Sequence, residues 1–225
     1  SKDILCHFIM IICYFTYSKT ALDDFLEFLC IDKNTRINTF EVIHRLFSEI
    51  FESSSNFYHL LDFYLNVVQK YSTDEEIQNE LTIIGDNIIQ SIENKSLNDF
   101  LVKSIYDFII KTKNKEIMKM ILNSILRNIN VEKRFDRYFE PFFVDMAKLI
   151  GFDDVKSIVA DLCAFVCKDR DNNTKEDVPL TYLFNLSIII ENFPEILNLI
   201  KDEYPLMMPS NVYSFRVRNA FYPRT

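Results

Sequence analysis

Two glycines, Gly85 and Gly151, are all that this chain of 225 residues contains. Tight hairpins need residues that accept positive φ, and phosphate-cradling loops need several glycines close together. Neither a many-stranded sheet nor a nucleotide loop is expected from such a chain. Apolar residues instead recur every three or four positions in almost every window, the pattern of helices with one buried face. They make up 48% of the chain, ample for a continuous core. The expected fold is all-α, with about ten helices.

Helix-start signals recur at similar intervals: Thr35 before Ile37, Ser54 or Ser55 before Phe57, Thr73 with Glu76 as a capping box, Ser96 before Leu97, and Asn114 before Ile117. Between them run the apolar stripes Ile37, Phe40, Ile43, Phe47, Ile50, then Phe57, Leu60, Leu61, Tyr64, Leu65, Val68, then Ile77, Leu81, Ile84, Ile88, Ile92. The short connections force successive helices to pack as antiparallel neighbours. Two consecutive helices take up roughly forty residues, the length of HEAT-like repeats. The expectation is an α-solenoid of HEAT- or MIF4G-like helix pairs forming one domain over residues 1–225; a compact bundle is the alternative.

Further elements are expected over Val131 to Ile150, with a break or first turn at Pro141, and over Asp154 to Cys167 after a stop at Gly151. A polar loop spans residues 168–178. Pro179 suits the first turn of a helix through Glu191, and a short helix follows Pro194. The tail, residues 204–225, holds Pro205, Pro209 and Pro223 and is expected to be irregular, with a last helix near Val212 to Phe221.

The apolar stretch from Ile4 to Tyr17 spans 14 residues, short of the roughly 18 needed to cross a bilayer, and reads as a buried helix. It lacks a basic leader and a small-residue cleavage site, so it reads as part of a fragment of a longer protein rather than as a signal peptide. Five cysteines, an odd number embedded in apolar runs, fit a reducing compartment.

The formal charge of -8 is unevenly spread. From Asn38 to Asp99 eleven acidic residues face three basic ones, and this stretch repels nucleic acid. From Lys103 to Arg137 nine basic residues face four acidic ones. Lys111, Lys113, Lys115, Lys119, Arg127, Arg134 and Arg137 of that segment form the candidate basic patch, against the reading that they are solvated helix faces.

No pattern for catalysis emerges. His7, His44 and His59 lie far apart, and Cys163 and Cys167 share a helix face without two further ligands nearby. Carboxylate pairs such as Asp23-Asp24, Glu75-Glu76 and Asp153-Asp154 sit where helix starts want negative charge. No catalytic, metal or cofactor-binding residue is assigned. Aromatic side chains beside arginine, as in the tail, have the composition of protein-binding hot spots, with docking of the tail onto preceding helices as the alternative.

The segment from Pro179 to Thr225 carries a more specific pattern. An apolar helix, Leu180 to Ile190, precedes Phe193-Pro194-Glu195-Ile196-Leu197; about ten residues later come Met208-Pro209-Ser210-Asn211, then Arg216, then Ala220-Phe221 and Pro223. This order resembles the carboxy-terminal domain of the large scaffold subunit of the cytoplasmic CCR–NOT mRNA deadenylase complex, over roughly a fifth of the chain. It departs from the family in holding fewer residues between Arg216 and Ala220, in the later Asn219, and in Tyr222 before Pro223. The resemblance implies a non-catalytic scaffold that docks Not-box partner subunits and short peptides of mRNA-repressor proteins, with RNA contact indirect or weak, in the cytoplasm, the nucleus being left open; the alternative readings are a generic α-solenoid adaptor of transport or translation and a helical RNA-binding module. Candidate partner-binding or tail-docking residues are Phe193, Pro194, Leu197, Pro209, Asn211, Tyr213, Phe215, Arg216, Arg218, Phe221 and Tyr222.

Overall fold

The computed structural model describes residues 2–15, 19–47, 50, 58–93, 99–129, 139–171, 178–211 and 214–223. Among these the protein is all-helical, with twelve α-helices, one 3-10 turn and no strand. The residues gather into two compact units, Ser1–Lys111 and Thr112–Thr225.

The first unit contains α1 (Lys2–Phe15), α2 (Lys19–Cys30), α3 (Lys33–Arg45), α4 (Tyr58–Tyr71), α5 (Asp74–Glu93) and α6 (Asp99–Thr112). Each packs mainly on close neighbours in sequence: α1 and α2 on α3, then α2 and α3 on α4, then α4 on α5. Lys2 pairs with Glu41 and Asp3 with Arg45, so the start of α1 meets the end of α3. The core is built from Leu26, Val42, Ile43, Leu60, Leu61, Tyr64, Val68, Leu81, Ile84 and Ile92, all fully buried.

Local chemistry sets the helix starts. The Thr73–Glu76 box is formed in both directions: the Thr73 amide donates to Glu76 Oε2 at 2.8 Å and the Glu76 amide to Thr73 Oγ1 at 3.3 Å. Asn114 caps the following helix, its Oδ1 accepting from the Ile117 amide at 3.1 Å. The signal at Thr35 is displaced by one turn. Asp32 is the cap, accepting from the Thr35 amide at 2.9 Å, and α3 opens at Lys33. The stripe from Ile37 to Ile50 does not lie on one continuous helix, because α3 ends at Arg45 and Leu46 departs from helical geometry. Ile37 is exposed while Thr39 and Val42 are buried in its place. Ser54, Ser55, Phe57, Ser96 and Leu97 lie outside the described residues.

The reading of Ile4 to Tyr17 as a buried helix is corrected. The element α1 forms, but Ile4, Phe8 and Ile11 are 70%, 48% and 54% exposed, and of its described side chains Ile9 alone is fully buried. The helix packs on α3 and, through Phe8 and Phe25, on α2, which leaves Ile4 and Ile11 largely in contact with solvent.

The second unit contains α7 (Lys115–Asn128), α8 (Phe139–Ile150), α9 (Phe152–Asp171), α10 (Leu180–Asn192), α11 (Ile196–Glu203), a 3-10 turn (Pro205–Met207) and α12 (Phe215–Phe221). The Lys115 ammonium donates to the Ile150 carbonyl at 3.4 Å, which sets the start of α7 beside the end of α8, antiparallel. Lys119 pairs with Asp154 at 3.0 Å and Arg127 lies 5.0 Å from the Phe165 ring, so α7 and α9 run parallel. Alternation of this kind is what helix-pair packing through short connections produces. Gly151 alone separates α8 from α9; its φ of +95° is the left-handed stop expected there.

Helix α9 continues to Asp171, so the expected polar loop over 168–178 is helical in its first four residues. Neither glycine nor proline interrupts Lys168-Asp169-Arg170-Asp171, and Lys168 and Arg170 are good helix formers. Pro179 is the N-cap of α10 rather than its first helical residue, its carbonyl accepting from the Tyr182 and Leu183 amides. The last helix starts at Phe215, with Ser214 as its extended N-cap. Asn185, fully buried on α10, donates through Nδ2 to the carbonyls of Ile125, Leu126 and Ile129 at 3.3, 3.3 and 2.5 Å, closing the end of α7.

Candidate functional site

The tail residues singled out by the sequence form two sets in the second unit: those that fix the tail and those that face outward. At the corner, α10 ends at Asn192, the Phe193 amide donates to Ile189 O at 2.8 Å, and α11 begins at Ile196. Proline cannot continue the helix through Pro194, so the chain turns there, and the Ile196 and Leu197 amides reach the carbonyls of Phe193 and Pro194. Leu197 is buried and pins the corner. Phe193 is only half-buried, its ring 6.3 Å from that of Phe152.

Helix α12 packs along α10 and buries Val217, Ala220 and Phe221. Arg216 ties its start down. Its Nη1 and Nη2 donate to the Glu140 carboxylate of α8 at 3.1 and 2.7 Å, while Nε and Nη2 donate to Glu191 of α10 at 3.0 and 2.6 Å. These hydrogen bonds, from Glu140 first and then Glu191, hold the guanidinium proton above its ordinary range. Tyr222 closes the other end, its hydroxyl donating to the carbonyl of buried Pro209 at 2.7 Å.

Facing outward are Phe215, 79% exposed, with Arg218, Asn211 and the exposed part of Tyr222. Pro194 is exposed at the corner. Tyr213 lies outside the described residues. An exposed phenyl ring beside the Arg218 guanidinium can dock apolar and acidic side chains of a partner.

The division between units falls within the basic segment, with Lys111 in the first unit and the remaining candidates in the second. Lys119 pairs with both Glu116 and Asp154, and Arg127 stacks on Phe165 while donating to Asn123. Lys113 occupies the left-handed turn after α6 at a φ of 51°, and Lys115 reaches the Ile150 carbonyl. Arg134 and Arg137 lie outside the described residues.

Sequence reasoning passed over a cluster on α3, α4 and α5. Glu80 Oε2 accepts from His44 Nε2 at 2.7 Å and from the Tyr64 hydroxyl. Burial first, and then the charge of Glu80, keeps the Tyr64 hydroxyl protonated well above the usual phenol range. The three residues span 36 positions of sequence, and only their separate helix registers were readable. His7 donates locally to the Asp3 carbonyl, and the His59 side chain lies outside the description.

Burial raises the Cys30 and Cys163 thiols to about 11 and about 12, which keeps them protonated at neutral pH. Among the described residues no group of three or more His, Cys, Asp and Glu could hold a metal ion, and no helix is long and apolar enough to cross a membrane. Comparison with protein-family models, with curated proteins and with solved structures finds no match.

Proposed function

We propose that this chain is a non-catalytic helical scaffold domain of the CCR–NOT deadenylase complex, built from HEAT- or MIF4G-like helix pairs. In this reading it docks Not-box partner subunits and short peptides of mRNA-repressor proteins, coupling a bound mRNA to poly(A) shortening by catalytic subunits carried elsewhere in the complex. In this reading it works in the cytoplasm.

The observation that carries the reading is the tail. The segment from Phe193 to Pro223 has the order of motifs of that scaffold family, and its residues divide as a docking element requires. Leu197, Pro209, Arg216 and Phe221 are buried or tied down in the second unit, while Phe215 and Arg218 are exposed to a partner. Grooves between helices that accept extended or helical peptides are a common recognition mode for such surfaces.

The test is purification of the tagged domain from its own cells followed by mass spectrometry. Not-box proteins are the expected companions; transport receptors or ribosomal proteins in their place would reject the assignment in favour of another helical adaptor. Charge reversal at Lys111, Lys113 and Lys115 is expected to leave those partners bound.

A further inference from the structure

We draw no further inference here: the strongest candidate, the apolar surface patch of Ile4, Phe8 and Ile11 on α1 with Phe28 on α2, is an unpartnered helix face, and nothing in the structure shows what covers it.

Discussion

Single side chains set how firmly the tail is held. Arg216 is three-quarters buried by side-chain area and neutralises two carboxylates from two helices. Replacing it with alanine leaves Glu140 and Glu191 facing each other without a cation. Solvent reaches all three groups, which limits the effect, and a loss of about 1–2 kcal/mol is expected in urea unfolding. Arg216→Lys should recover less than half of that, because an ammonium cannot address both carboxylates with the forked geometry. Equal stability of the arginine and alanine forms would show that the ion pairs contribute nothing. The corner tells a complementary story, since Leu197 is buried and Phe193 half-exposed. The motif reads correctly as a turn, but the ring with the stronger motif signal is the lesser contact.

At the scale of the helix, two positions with left-handed backbone make opposite predictions. Gly151 has a φ of +95°, and a Cβ placed there meets no atom within 4 Å, so Gly151→Ala costs backbone strain alone, about 1 kcal/mol. Lys113 holds a φ of 51° after α6 with a side chain that disfavours it, so Lys113→Gly is expected to stabilise by about 0.5–1 kcal/mol. Thermal melts of the two variants should move in opposite directions. The caps add a pH dependence. Hydrogen bonds from the Thr35 amide and hydroxyl hold Asp32 below the usual carboxylate range, and the Thr73 amide does the same for Glu76. The unfolded chain therefore takes up these protons first as pH falls. The stabilisation is complete at neutral pH and is lost as acid passes through the depressed folded values, below about pH 4. Asp32→Asn and Glu76→Gln should flatten the fall in melting temperature between pH 6 and pH 3; an unchanged slope would remove the caps as its source.

Across the molecule, charge is the property with the clearest consequence. The acidic load sits in the first unit, and in the second Lys119 and Arg127 are committed to Asp154, Glu116, Phe165 and Asn123. Binding of nucleic acid through the basic segment would require those contacts to open. The chain is accordingly expected to show no saturable binding to a poly(A) oligonucleotide at physiological salt in a fluorescence anisotropy titration. Tight binding with a steep salt dependence, abolished by charge reversal at Lys113 and Lys115 while the fold survives, would instead make RNA its direct ligand.

What the sequence determined alone is the set of interactions that close within one turn. The helical class, the Thr73–Glu76 box, the Asn114 cap, the Gly151 stop and the Pro194 corner all follow from bonds between residues three or four positions apart. The tertiary structure decided which faces are covered and which distant groups meet. Ile4 and Ile11 are more than half exposed, while Phe8, between them on α1, meets Phe25 of α2. Arg216 meets Glu140 across 76 positions, and His44 meets Glu80 across 36. Helix periodicity specifies the direction of each such side chain about its own axis; only the packing of one axis on another specifies what lies opposite.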